Sequence, residues 1–585
     1  MRRFNLGKIP GLWFWTIIGV LIFSLYLSAG DVVKGDMARK VDTYLSRIVP
    51  YGFSGAFLIA KDGEIVLNKG YGMAIRSQGT ANTSETVFST GSLTKQFTAA
   101  GIMKLEMMGK LNTHDPITKY FEGVPEDKQE ITLHHLLTHT AGVVDAVGPD
   151  FVEALRDPTV EKILKRQLEF PPGQEFSYSN AGYSLLAAII EKVTGQDYET
   201  FQRKQLFLPA GMEYTGYRLP EWDKRLVAHW YVGEHDNGTP LEKPYPYWNL
   251  LGNGGILSTT EDMYRWHLAL LGEKVLSRAA KNKMFTPVDN DYGYGWDILE
   301  SDHGLLIKHD GGSSLGSSSE LRRYLDAGLV TMLFCNQGFG RMTLMEVVRE
   351  KTETLVFGGD VEMPLPVKDV VVPDAEKYTG TYTLFGGDQL KINHSQGRLQ
   401  VRPQGQAAIN ALLGLGVEAG KRLNNLNKLS VTVFSAALAG DYEPLNAALS
   451  HRERRQQPVR DLIEMRLRNY APRIGKVALV IAHMTMPASL SGIDAAKTFI
   501  ELKGEKGSIY FGLYWKDGFN IGIEPIMAPP QLDVPFLPLS ERAFAGYHLD
   551  LGKAFEITFE ADKEGRISAL VFASDGGKLK AIRQD

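Results

Sequence analysis

Apolar and polar residues recur along this chain at helical and strand spacing, and the predicted elements follow from that spacing. Between Phe97 and Met108 the apolar positions Phe97, Ala100, Ile102, Met103, Leu105 and Met108 predict a helix, with Ile102, Leu105 and Met108 on one face. Gly91 precedes it and Gly109 stands where a helix end favours glycine. Met37, Val41, Leu45 and Ile48 predict an amphipathic helix over Asp36–Val49. Ser54–Ala60 and Glu64–Asn68 read as strands joined by the hairpin Lys61-Asp62-Gly63. A helix is expected from Tyr183 to Val193. Strands are expected at Leu305–Ile307, Ser317–Tyr324 and Gly328–Phe334, before a closing helix over Met342–Phe357.

Past the prolines between Pro364 and Pro373, strand alternation returns at Tyr378–Tyr382 and Leu390–Val401. Phe544-Ala545-Gly546-Tyr547 nearly repeats the first of these and opens a second series, Ala554–Phe559 and Ile567–Phe572. Between the two series, Val433–Leu449 and Arg460–Tyr470 read as helices, and Val477–Met484 and Ser508–Trp515 as strands. Arg452, Arg454 and Arg455 read as a solvated basic face.

The N-terminus breaks this pattern. Arg2, Arg3 and Lys8 precede an uncharged apolar run from Gly11 to Ala29, which is the sequence pattern of export. The run approaches the roughly 20 residues that span a bilayer, so an uncleaved membrane anchor is favoured over a cleaved signal peptide. Composition adds limits. The 585 residues allow two to four domains, and 44% hydrophobic with 23% charged residues is that of folded protein. A net charge of -4 offers nothing to nucleic acid. The one cysteine, Cys335, lies in an apolar strand-like run and reads as a core thiol.

Candidate chemistry centres on Ser92-Leu93-Thr94-Lys95, a serine with a lysine one turn later on the same helix face. A helix N-terminus presents free N–H groups and a positive potential. These can help hold an oxyanion formed when Ser92 attacks a carbonyl, while burial lowers the pKa of Lys95 toward that of a base. The bland alternative is a capping serine and a solvated lysine. Phe170 to Gly173 force a loop carrying Tyr178 and Asn180 to the start of the next helix. Tyr178 suits a phenolic proton relay and Asn180 an amide contact to substrate; their alternatives are a packed tyrosine and an N-cap. His309-Asp310-Gly311-Gly312 ends an apolar strand, and its glycines let backbone run beside a ligand, with Gly312 N–H as a second oxyanion donor. His134, His135 and His139 read as surface and packing histidines, not as a metal set. The sequence implies no cofactor and no metal.

Ser92-x-x-Lys95, Tyr178-x-Asn180 and His309-x-Gly311, in that order, accompany Leu136-Leu137-Thr138-His139-Thr140-Ala141-Gly142 and Tyr292-Gly293-Tyr294-Gly295-Trp296. Together they resemble the serine β-lactamase and penicillin-binding-protein superfamily, in its class C β-lactamase, D-aminopeptidase and esterase branch. The resemblance implies an α+β fold: an antiparallel sheet flanked by helices plus a helical region over residues 36–360, after an N-terminal segment at 1–30. Residues 361–373 would be a linker. Residues 374–585 resemble the lipocalin-like β-barrel appended to such hydrolases, interrupted by an α+β insertion at about 425–535. It also implies that Ser92 is acylated, that Lys95 and Tyr178 share the proton work, and that Asn180, His309, Gly311 and Gly312 border the substrate. Histidine at 309, where class C β-lactamases carry lysine, favours a carboxylic ester, an amide or a D-amino-acid peptide as substrate. The alternatives are a non-hydrolytic penicillin-binding or cell-wall-peptide-sensing protein and a weak β-lactamase. The expected partners are a small-molecule substrate and, through the apolar N-terminus, a membrane; the expected location is outside the cytoplasmic membrane.

Overall fold

The computed structural model describes residues 30–584 apart from 244, 338–341, 368–369, 396, 449–473, 491–492, 527–531, 550–551 and 575–576. The N-terminal apolar run, the helix expected over 460–470 and the arginines at 452, 454 and 455 lie outside the described residues.

The hairpin Gly55–Lys61 and Glu64–Tyr71 seeds a seven-stranded antiparallel sheet. Its order is Val32–Val33, Glu64–Tyr71, Gly55–Lys61, Leu329–Cys335, Ser317–Tyr324, Gly304–Ser313 and Asp297–Ser301. The first strand of the hairpin therefore pairs with a strand from far along the chain, Leu58 opposite Met332. Both of these central strands are buried on both faces, and the period of two sorts their residues. Ala56, Leu58, Ala60, Val330, Met332 and Phe334 join the core shared with the helical region. Phe57, Ile59, Leu333 and Cys335 face a second core under the helices Gly35–Ile48 and Met342–Val356. Cys335 is a buried free thiol there.

The helical region is built on Thr94–Met107, Asn180–Thr194 and Thr260–Leu271. The first of these has no solvent face over most of its length. Phe97, Ala100 and Ile102 are fully buried, and so are Lys95, Gln96 and Thr98. The expected stripe of Ile102, Leu105 and Met108 is thus only part of what is covered, and Met108 lies beyond the helix and 43% exposed.

The C-terminal region forms a closed eight-stranded barrel, with Gly380–Leu384 pairing both Gln389–Ser395 and the last strand, Gly577–Gln584. Tyr382, Phe536, Phe544 and Phe559 help fill its interior. Between Arg398–Gln404 and Val534–Pro538 the chain leaves the barrel for the helices Gln406–Leu412, Val417–Leu438 and Glu443–Ala448 and a four-stranded sheet. The helix expected over Val433–Leu449 is therefore two helices with a break after Leu438, where Ala439, Gly440 and Asp441 turn the chain. The barrel packs on the N-terminal half through Tyr547, whose hydroxyl lies 3.1 Å from that of Tyr44, and through its ring against Tyr51.

One expectation is corrected. Among the described residues no helix is long and apolar enough to cross a membrane. The longest, Val417–Leu438, carries Glu418, Lys421, Arg422 and Lys428, which a bilayer interior would not accept. The expected transmembrane segment and membrane partner find no helix to carry them among the described residues and are not taken further.

Candidate active site

A short turn, Gly91–Leu93, runs straight into the helix Thr94–Met107, so Ser92 stands just ahead of the helix N-terminus. Gly91 has φ +51°, a conformation that suits glycine. A Cβ at Gly91 would lie 2.3 Å from Gly312 N, and one at Gly311 would lie 2.4 Å from Thr90 O and 2.5 Å from Ser92 N. The strand Gly304–Ser313 thus meets the serine turn with bare backbone. Ser319 on the next strand fastens the contact, its hydroxyl donating to Thr90 O at 2.7 Å.

Lys95 is fully buried. Its Nζ lies 3.1 Å from Ser92 Oγ, 2.6 Å from Asn180 Oδ1 and 2.8 Å from Asn253 O. No carboxylate pairs with it among the described residues. Burial pushes its pKa down from the usual lysine value to about 7, although the charges of Asp145, Asp150 and Asp310 pull the other way.

Tyr178 lies on the loop expected to carry it. The Lys95 nitrogen stands 4.6 Å from the centre of its ring. Burial holds the Tyr178 phenol well above its usual pKa, and its hydrogen bond with Ser92 opposes that only in part, so the hydroxyl keeps its proton at neutral pH. Two residues on, Asn180 opens the helix Asn180–Thr194, capped by Ser179, which accepts from Gly182 N. Asp145 Oδ1 accepts from both Asn180 N (3.1 Å) and Asn180 Nδ2 (2.9 Å). That fixes the amide with its oxygen toward Lys95.

His309 is 4% exposed. Its Nδ1 lies 2.6 Å from the Asp310 carbonyl and its Nε2 3.0 Å from the Tyr292 hydroxyl. A carbonyl can only accept, so Nδ1 carries the proton and Nε2 accepts from Tyr292. Burial lowers the pKa of His309, and the ring is neutral. Asp310 alternates to the other face of the strand. Its carboxylate is 57% exposed and 3.7 Å from Lys308, itself 3.1 Å from Asp297. No carboxylate from this strand therefore faces Ser92.

The structure brings Ser92, Lys95, Tyr178, Asn180, His309, Gly311 and Gly312 close together. Three further residues join them that were not among the expected site residues, His139 having been read as packing. Asp145 orients Asn180, and the Asn253 carbonyl holds Lys95. Asn253 is buried and anchored through Nδ2 to Ser184 Oγ and Asn249 O, each at 2.9 Å. His139 lies with its ring centre 4.3 Å from that of Tyr178. His134 and His135 are spent elsewhere, on the Tyr294 hydroxyl and on a helix cap. Among the described residues no group of three His, Cys, Asp or Glu side chains could hold a metal ion.

A model of the family described as Beta-lactamase matches residues 41–348. Penicillin-binding protein 4* of Bacillus subtilis (strain 168) is 30% identical over 385 residues, which cover 60% of this chain and 84% of that protein. The putative penicillin-binding protein PbpX of the same organism is 36% identical over 283 residues, 46% of this chain and 68% of its own. Among solved structures, a penicillin binding protein from Bacillus halodurans is 28% identical and covers 52% of this chain and 98% of its own, with a TM-score of 0.46.

Proposed function

The chain belongs to the Beta-lactamase family of serine hydrolases, and from that premise we propose that it is an exported hydrolase of carboxylic esters, amides or D-amino-acid peptides. The observation that carries this reading is the fully buried Lys95 amine, 3.1 Å from Ser92 Oγ and without a carboxylate partner among the described residues. Ser92 Oγ attacks the substrate carbonyl carbon and its proton passes to Lys95 Nζ. The oxyanion accepts hydrogen bonds from Ser92 N–H and Gly312 N–H. The proton then travels through the Tyr178 hydroxyl to the leaving oxygen or nitrogen, and the bond to that atom breaks. Water attacks the resulting ester, gives its proton to the same relay and releases the acid, and Ser92 Oγ regains its hydrogen. Asn180 contributes an amide to the bound substrate.

The neutral His309 supports a substrate without a carboxylate at this position. Both of its ring nitrogens are engaged and neither offers a positive charge. Efficient β-lactam hydrolysis is therefore not part of the proposal. Export rests on Arg2, Arg3 and Lys8 ahead of the apolar run, and no membrane anchor is included.

The names of the two Bacillus relatives favour a second reading, a penicillin-binding protein that is acylated and does not turn over. A fluorophosphonate probe together with turnover of a short-chain aryl ester separates the two. The hydrolase reading expects labelling and turnover, both lost in Ser92→Ala. Labelling without turnover supports the second reading, and labelling that survives the substitution overturns both.

A further inference from the structure

His139 makes contacts to three consecutive residues, and Tyr178 is the middle one. The His139 carbonyl accepts from Ser177 N at 2.9 Å. Its Nδ1 accepts from Ser179 N at 3.0 Å. Between these two bonds its ring lies on the Tyr178 ring, centres 4.3 Å apart and planes 36° from each other. The loop that carries Tyr178 has no strand ladder or helix of its own before Ser179. His139 thus accepts from the backbone N–H of both neighbours of this tyrosine, once with its own carbonyl and once with its ring nitrogen.

His139 is built for this position. It is 1% exposed and adopts a left-handed backbone, φ +60°, which is uncommon outside glycine and which histidine accepts more readily than a bulky apolar residue. Since Nδ1 accepts, the ring proton sits on Nε2. That nitrogen is buried and has no acceptor among the described residues, being enclosed by the rings of Tyr183 and Tyr292 at 5.1 Å and 4.8 Å. Burial keeps the imidazole neutral, well below its usual pKa. The Ser177 bond uses a backbone carbonyl that any residue has, but the Ser179 bond needs a side-chain acceptor, which a residue that only filled core volume would lack. A leucine or phenylalanine at this φ would carry at least as much backbone strain and would offer Ser179 N no acceptor.

We propose that His139 is the positioning residue of Tyr178, clamping the loop on either side of the phenol and fixing its ring over the Lys95 amine. This rests on the reading of Ser92, Lys95 and Tyr178 as the acyl-transfer group. In that reading a small displacement of the phenol lengthens the path by which the proton leaves, and geometry at this scale governs rate more than binding.

A double-mutant cycle tests it, read as the rate of fluorophosphonate labelling of Ser92 and as kcat and KM for an aryl ester. His139→Phe keeps a ring and removes the acceptor. His139→Asn keeps an acceptor near Nδ1 and tolerates the left-handed backbone. We expect His139→Phe to slow labelling and kcat by about tenfold to a hundredfold with KM little changed, and His139→Asn to recover part of that loss. In a Tyr178→Phe background the same changes should cost less than about threefold, because nothing remains to position. Equal losses in both backgrounds would reduce His139 to packing and overturn the inference while leaving the hydrolase reading intact. A Tyr178→Phe protein that labels as fast as wild type would overturn the role of Tyr178 and this inference with it. Should His139→Phe fail to fold in a thermal melt, the His139→Asn arm decides by the same comparison.

Discussion

Lys95 Nζ lies nearer to Asn180 Oδ1, at 2.6 Å, than to Ser92 Oγ, at 3.1 Å. With the Asn253 carbonyl at 2.8 Å, the amine has three acceptors in reach. An ammonium fills all three with its three hydrogens. A neutral amine has two, which Asn180 and Asn253 take, and its lone pair is left for the proton of Ser92. The two asparagines therefore orient the neutral amine, with its lone pair toward Ser92, while burial is what keeps it neutral.

The rate should follow this protonation. Lys95 loses its proton at about 7, and only the neutral form can accept from Ser92. The sign is set by that: kcat/KM rises with pH up to about 7 and levels off above it, changing about tenfold per pH unit on the acid side. A profile flat from about pH 5.5 to 8.5 would remove Lys95 as the base. Lys95→Ala should cost at least about a hundredfold in acylation rate.

Asn180→Asp puts a carboxylate where a neutral oxygen now stands, 2.6 Å from the amine. An opposite charge at this range stabilises the ammonium by about one to three pKa units. The acid limb should move up by at least about one unit, with activity at pH 7 about tenfold lower and partly regained at higher pH. Lower activity on an unmoved limb would mean that Asn180 acts on substrate alone.

Asp145 accepts from both the backbone and the side-chain nitrogen of Asn180. Its carboxylate is exposed at the start of a helix, so Asp145→Ala should cost about 1 kcal/mol of stability, as loss of an N-terminal cap does. Its effect on kcat should be larger than that loss alone suggests, about tenfold, because the Asn180 amide becomes free to turn. Thermal melts and steady-state kinetics on the same sample check both halves.

Gly311→Ala would place a methyl 2.4 Å from Thr90 O and 2.5 Å from Ser92 N. Both are backbone atoms and cannot swing aside as a side chain would, so the strand must move off the serine turn. Loss of the second oxyanion donor should lower kcat by about a hundredfold or more, with the far-ultraviolet dichroism unchanged. Full activity in this variant would show that the strand contributes no donor.

Tyr44 and Tyr547 share a buried hydrogen bond between the sheet domain and the barrel. Tyr547→Phe alone leaves the Tyr44 hydroxyl buried without a partner and should cost about 1–3 kcal/mol. Combining it with Tyr44→Phe removes both polar groups and should recover most of that loss. Chemical denaturation of the two singles and the double measures the coupling; additive losses would mean that the bond contributes little.

Much of this was legible in the sequence, because local chemistry set it. The Ser92 turn and its helix follow from glycine and apolar spacing. The hairpin Gly55–Tyr71 follows from alternation around Asp62-Gly63, and the loop to Tyr178 follows from Pro171 and Pro172. What escaped acts through groups that residue identity does not advertise. Asn253 serves by its backbone carbonyl, which any residue possesses. Asp145 stands 35 positions from Asn180 and meets it only once the helix is docked. His139 looked like packing since its spacing suits no metal, and its use appears only with Ser177 and Ser179 beside it. The burial of most of Thr94–Met107 was hidden for another reason: Lys95, Gln96 and Thr98 are polar, and only partners from distant segments make their burial tolerable.

The central strand pair, Gly55–Lys61 against Leu329–Cys335, joins an early stretch of chain to a very late one. Ser92 therefore emerges in synthesis long before the glycines that wall its turn. Until the late strands arrive, Gly91 has nothing to press against, Lys95 remains wet and ordinarily basic, and the hydroxyl is no more reactive than any other serine. Closing so long a loop is slow and costly in chain entropy. The reactivity proposed for Ser92 is thus a property of the completed sheet rather than of the segment that carries the serine.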